Sequence, residues 1–336
     1  MAVCGVPPCR LPDCWAPLLG GVADRALGAI GASLAPNTLK HYNGYLERFR
    51  AFALGRGFGD WRLASLPLIL DFLCSLVTER VERPSSVLDM AIPALRLAFP
   101  GSDLMDSPWI PRLRKGLVTA HTARPRRVTE PIPAEPVCAW LRGLPDNDRL
   151  SLVELRRKVA VLAAMVLIAR PSDLTRILPD SLIIRRDGAE MSVDLLAFKN
   201  DYQRDGSSLV VMACSEPRLC FIRAASALLA RLRRAYSRPV ALFLHEQRNE
   251  ALLPASVGRI LKEACTLAGI GDAFSGRNFR PGGATRGLAA GLPLDLVMHI
   301  GRWRDPSTVF GHYVRSAQPP GTSDALLGVR PSLDAT

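Results

Sequence analysis

The chain has 336 residues, 48% of them hydrophobic and 22% charged, a composition that excludes a disordered polymer and supplies enough chain for two compact bodies, each with its own core. Its 43 lysines and arginines outweigh 31 aspartates and glutamates for a formal charge of +12, so polyanions are the expected partners, duplex nucleic acid ahead of an anionic membrane. No apolar run reaches the roughly 18–20 residues of a membrane span; "VAVLAAMVLIAR" stops at Arg170, and no membrane partner is expected.

Residues 1–33 are rich in Gly, Pro and Ala and read as a poorly ordered leader. They hold no charged segment running into a long apolar stretch with a small-residue cleavage site, so an intracellular, reducing setting is expected. Of the eight cysteines, Cys4, Cys9 and Cys14 are evenly spaced. No CxxC pair, fourth thiol or nearby histidine completes a tetrahedral set, so no metal site is expected there. Cys74, Cys138, Cys214, Cys220 and Cys265 lie in apolar stretches and read as small buried hydrophobes.

Residues 34–122 carry helical periodicity. "PNTLKHYNGYLERFRAFALGRG" places Leu39, Tyr42, Leu46, Phe49 and Phe52 on one face, with Asn37 as N-cap and Gly55 near the end. "LPLILDFLCSLVTERV", "SSVLDMAIPALRLAF" and "PWIPRLRKGLVTAHTA" supply three more helices separated by Pro, Gly or Ser. The result is a four-helix body whose Arg112, Arg114 and Lys115 are candidates to face DNA phosphates, although charges on such faces commonly serve only solvation.

The prolines of "ARPRRVTEPIPAEP", residues 123–136, disfavour helix and predict an extended linker. The second body spans 137–318, leaving 319–336 as a tail. Within it "VCAWLRGL" and "LVELRRKVAVLAAMVLIA" are helical. The period then shortens to that of strands in "SLIIRRDG", "MSVDLLAFKN" and "SSLVVMAC", joined by Asp- and Gly-bearing turns. Helices return in "CFIRAASALLARLRRAY", "PASVGRILKEACTLAG", "GGATRGLAAG" and "PLDLVMHIG". The expected fold class is therefore mainly α with a small antiparallel sheet (α+β), a helical domain ahead of a second domain that carries the sheet.

Several side chains on this frame bear chemistry. Arg170 ends the most apolar helix, with Asp173 three residues on as an ion-pair partner. Lys199 sits at the tip of the second strand. Arg277 and Arg280 precede a Gly-Gly pair, Gly282 and Gly283, that permits close backbone approach. Trp303 and Tyr313 fall in "HIGRWRDPSTVFGHYVR", where Gly301 is placed to turn the chain and "RDPST" reads as a loop. Taken singly, each has an ordinary structural role.

Their order is distinctive. Arg170 in "ARPSDL", a hairpin lysine, an "RxxR" before "GGAT", then "GRW" and the tyrosine of "HYVR" resemble the tyrosine recombinase (phage integrase) family, and the "RPSDL" and "RPGGAT" wording looks most like its eukaryotic mobile-element members. The resemblance covers roughly residues 34–318 and implies a helical core-binding domain ahead of a catalytic domain. It implies DNA strand cleavage and rejoining through a 3′-phosphotyrosyl link, without ATP, metal or other cofactor, by a homo-oligomer (tetramer) on duplex DNA. The location would be nuclear in a eukaryote. Carried over, Tyr313 is the nucleophile, Arg170 and Arg280 clamp phosphate oxygens, Lys199 protonates the leaving 5′-oxygen and Trp303 donates an indole N–H. Arg277 stands where the family usually has histidine; a guanidinium donates but cannot accept a proton. A chain that keeps the fold and binds DNA without turnover is the alternative, followed by a helical interaction protein whose charge is incidental.

Overall fold

The computed structural model describes residues 33–79, 81, 83–99, 102–121, 130–195 and 206–312, together with Ala26. Most of the expected leader, the expected tail over 319–336, and the side chains of Cys4, Cys9, Cys14, Lys199 and Tyr313 lie outside these residues. The chain divides into two compact units, Met1–Arg126 and Arg127–Thr336.

Among the described residues the first unit is built on four helices: α1 (Pro36–Gly55), α2 (Leu66–Ser75), α3 (Pro84–Ala98) and α4 (Trp109–Ala120). Phe49 of α1 is fully buried and anchors the core, with the rings of Phe72, Phe99 and Trp61 set edge-on to it at 5.0, 5.8 and 6.2 Å. Such edge-to-face pairs add to the apolar area that the rings remove from water. Leu39 and Leu46 join Phe49 on the buried face, whereas Tyr42 and Phe52 are half-buried. The N-cap is Ala35, not Asn37, because Pro36 takes the first helical position and starts the helix two residues earlier.

The second unit opens with α5 (Ala134–Gly143) and α6 (Leu152–Val166), the latter started by a capping box in which Ser151 and Glu154 satisfy each other's backbone N–H groups. A single turn, α7 (Pro171–Leu174), leads into the sheet β1 (Ile177–Arg185), β2 (Glu190–Leu195) and β3 (Ser207–Met212). The sheet is antiparallel in the order β1-β2-β3, with Leu182 opposite Val193 and Met191 opposite Val211. Those four side chains, with Leu195 and Leu209, turn toward the main core, and Ile183, Val210 and Met212 point outward. At the β1–β2 reversal Asp187 and Gly188 take φ of 53° and 91°, values that the Asp-Gly pair tolerates. Four helices follow: α8 (Phe221–Ala235), α9 (Pro254–Leu267), α10 (Phe279–Ala289) and α11 (Leu294–Gly301). A further short helix, α12, runs from Pro306 to His312, where a loop was expected at its start. Pro306 at its head and the Asp305 carboxylate accepting from the Ser307 N–H at 2.8 Å explain the helical turn. Among the described residues no helix is long and apolar enough to cross a membrane.

Two expectations need correction. Part of the stretch read as linker belongs to the second unit: Ile132 is buried, its N–H donates to the Asn278 carbonyl at 3.1 Å, and the Asn278 amide donates to the Glu130 carbonyl at 2.7 Å. Proline spacing signals the extended backbone but not the groove that receives it. The cysteines also divide, since Cys220 and Cys265 are buried but Cys74 and Cys214 are exposed, because an apolar neighbourhood in sequence does not fix which face a residue takes. Burial raises the Cys265 thiol to about 11.

The groove for Ile132 exists because Gly282 has no side chain: a Cβ there would lie 2.7 Å from Ile132 Cγ2. Gly282→Ala is therefore expected to cost about 1–3 kcal/mol, read from the denaturant midpoint, and less in an Ile132→Ala background where that methyl group is gone.

Candidate active site

The site forms where α6 ends. Ile168 turns left-handed at φ 46°, and Arg170 is held extended by the proline after it. The last carbonyls of a helix lack intrahelical donors and favour nearby cations. Here arginines fill that need: Arg280 Nη1 donates to the Ile168 carbonyl at 2.9 Å, and Arg302 Nη1 donates to the Leu167 carbonyl at 3.3 Å. Arg280 Nη2 also donates to the Gly301 carbonyl at the end of α11.

All three guanidinium groups then meet one oxygen. Asp173 Oδ2 accepts the backbone N–H of Arg170 at 3.0 Å and Arg302 Nη2 at 3.2 Å, and lies 3.8 Å from Arg280 Nη1 and 4.0 Å from Arg170 Nη1. The Asp173, Arg302 and Arg280 side chains are 1%, 2% and 3% exposed, but Arg170 is 22% exposed, so Arg170 is the member that solvent or a ligand reaches. Burial lowers the Arg302 pKa below the ordinary guanidinium value; Asp173 opposes that shift and the like charge of Arg170 adds to it. Among the described residues one carboxylate, Asp173, faces three guanidiniums in a poorly solvated place. Arg170 Nη1 is buried and makes no hydrogen bond among the described residues. Such an arrangement favours an anion. Among the described residues no group of three or more His, Cys, Asp and Glu side chains could hold a metal.

Trp303 completes the cluster. Its ring lies under the Arg280 guanidinium at 4.0 Å and is 6% exposed, a desolvated cation–π contact. The chain reaches it through a Schellman turn: the Trp303 N–H donates to the Met298 carbonyl at 3.0 Å and the Arg302 N–H to the His299 carbonyl at 3.1 Å. The left-handed residue of that turn is Arg302, at φ 57° and ψ 47°, not Gly301. Glycine is required at 301 for a different reason, since a Cβ there would fall 1.8 Å from the Trp303 ring. Arg302 is the site residue that sequence reasoning missed. Its one available signal was its place between Gly301 and Trp303, which reads equally well as a surface arginine.

The structure thus gathers Arg170, Asp173, Arg280 and Trp303. It does not bring Arg277 into that cluster: Arg277 is exposed, and its backbone N–H donates to Ser275 Oγ at 3.4 Å. His299 is exposed on α11. In the first unit Arg112 and Lys115 are exposed, with Arg112 over the Trp109 ring at 5.2 Å. Arg114 is instead committed to Asp89 at 2.7 Å, a hydrogen bond that raises its pKa.

Folds of this kind, four helices followed by a helical domain with a three-stranded antiparallel sheet, are those of tyrosine recombinases, and the chain has that fold. It is similar to the XerH site-specific recombinase bound to palindromic difH substrate, with 12% identity and a TM-score of 0.61 over 91% of this chain and 84% of that one. The Tn1549 transposon integrase in complex with circular intermediate DNA matches at 11% identity and a TM-score of 0.55, over 95% of this chain and 99% of that one. A lambda integrase dimer bound to a COC′ core site matches at 15% identity and a TM-score of 0.51, over 84% and 93%. No protein-family model and no curated protein sequence matches the chain.

Removing the shared carboxylate should leave buried guanidiniums uncompensated. Asp173→Asn is expected to destabilise the second unit by about 3–5 kcal/mol, measured by denaturant unfolding. Gly301→Ala should cost about 1–3 kcal/mol and shift tryptophan emission to the red as the Trp303 ring leaves its place.

Proposed function

We propose that this chain cuts and rejoins duplex DNA through a 3′-phosphotyrosyl intermediate, as in site-specific recombination or DNA integration by a mobile element. The observation that supports this most directly is the buried, hydrogen-bond-deficient Arg170 Nη1 beside two further arginines on a single carboxylate, in a chain with the recombinase fold. A phosphodiester carries the anionic oxygens that such a cluster lacks. Negative charge increases on them as phosphorus becomes five-coordinate, so fixed guanidiniums bind that state more strongly than the starting ester.

In this reading the Tyr313 phenol loses its proton to solvent as its oxygen attacks phosphorus, and the bond from phosphorus to the 5′-oxygen breaks. Lys199 supplies the proton that turns the departing oxygen into a 5′-hydroxyl. Arg170 binds the phosphate, Arg280 adds charge from below, and the Trp303 indole N–H is a further donor. Asp173 and Arg302 hold these groups in place. Attack of a 5′-hydroxyl on the phosphotyrosine reverses the chemistry and reseals the strand, so neither ATP nor metal is called for. XerH and the Tn1549 and lambda integrases were each solved on DNA, the lambda integrase as a dimer, which supports duplex DNA as the substrate and a homo-oligomer as the working assembly. In the first unit Arg112 and Lys115 are the better-placed phosphate contacts, since Arg114 is paired with Asp89.

A second reading, a DNA-binding protein without turnover, is favoured by Arg277, which is exposed and cannot accept a proton. A duplex nicked next to the cleavage point separates the two. Covalent protein–DNA product that is lost in Tyr313→Phe and formed about 10²–10³-fold more slowly in Arg170→Ala is the expected result. Absence of that product with intact duplex binding would establish the second reading.

A further inference from the structure

None of the residues of the arginine cluster lines a second basic cavity in the same unit. This cavity, of about 750 Å³, opens between the loop around Asp146, Asp148 and Leu150 and one face of α8. Arg223, Arg231 and Arg234 stand on that face, and Ala227 and Ala230 between them are too small to fill the concavity. From α6, Lys158 reaches the same cavity although it is only 2% exposed. Its Nζ has three donors, and its hydrogen bond among the described residues is to the neutral Asn147 amide oxygen at 2.9 Å. Burial lowers the Lys158 pKa, the nearby charge of Arg218 adds to that, and Asp146 opposes it.

The wall is built by its own hydrogen bonds. Arg231 donates to the carbonyls of Asn147, Asp148 and Leu150 and so fixes the loop, and Arg218 donates to the Arg142 carbonyl. Arg223 and Arg234 are exposed and make no ion pair or side-chain hydrogen bond among the described residues. Five cationic side chains therefore face two carboxylates, Asp146 and Asp148, and two of the guanidiniums stand uncommitted at the mouth. Eleven residues of helix separate Arg223 from Arg234, roughly 16 Å along the axis. That span is too long for one phosphate and suits several in a row.

We propose that this cavity binds a chain of phosphates, with Arg223 and Arg234 gripping its two ends and Lys158 supplying charge behind them. The same chemistry is offered by a free linear polyphosphate and by the backbone of a nucleic-acid strand.

The test titrates the full chain with linear sodium polyphosphate by calorimetry, and with a labelled duplex by anisotropy, at low salt. The variants are Arg223→Gln/Arg234→Gln, whose side chains are exposed and uncommitted, and Arg170→Ala. Polyphosphate affinity should fall about tenfold or more in the double variant and by less in Arg170→Ala, which removes a donor of the separate arginine cluster. If duplex affinity falls alongside it, and polyphosphate displaces duplex from the unmodified chain, the phosphates are those of a nucleic-acid strand. If duplex binding is unchanged, they are those of a free polyphosphate. The proposal is overturned if the unmodified chain fails to bind polyphosphate at millimolar concentration, or if the double variant binds it as well as the unmodified chain. Loss in Arg170→Ala alone would place the anion at the other cluster, with the same consequence. Because covalent cleavage by Tyr313 is not measured, the outcome is independent of the proposed function.

Discussion

One carboxylate oxygen supports the whole of the candidate site. Asp173 Oδ2 lies within 4.0 Å of nitrogens from Arg170, Arg280 and Arg302, groups contributed by three separate parts of the chain. Without it, guanidiniums that are 2–3% exposed would repel one another in a medium of low dielectric. With it they converge on one point. The arrangement is costly to desolvate and contributes little to stability for its own sake. In the proposed function its value would be that an anion arriving at Arg170 meets donors already in position.

Much of the architecture was legible in the sequence because it depends on local periodicity and punctuation. The spacing of Leu39, Leu46 and Phe49 and the Asp187-Gly188 turn each announce their structure within a few residues. What was not legible depends on contacts between distant segments. Arg302 looks like a surface residue until the ends of α6 and α11 meet. Gly301 looks like a turn glycine until the Trp303 ring is seen in the space that its Cβ would take. The linker prolines give no sign that Ile132 will be buried beside Gly282.

The Arg302 turn also shows how local strain and long-range charge combine. A left-handed non-glycine residue costs roughly 1–2 kcal/mol. Glycine at 302 would avoid that cost but could not reach Asp173 at 3.2 Å or the Leu167 and Ile300 carbonyls. The buried ion pair therefore holds a backbone conformation that local preference opposes, and that conformation places the indole of Trp303 under Arg280.

The docking of residues 130–132 has a mechanical consequence. The Asn278 side chain grips the Glu130 carbonyl, and the Asn278 carbonyl receives the Ile132 N–H, so a pull on the chain at its entry to the second unit is delivered two residues from Arg280. Slack upstream of Glu130 would leave the arginine cluster undisturbed. Tension strong enough to break those two bonds would act first on the head of α10, loosening the guanidinium that joins the end of α6 to the end of α11. The entry segment is thus a tether whose load point lies almost on the site itself.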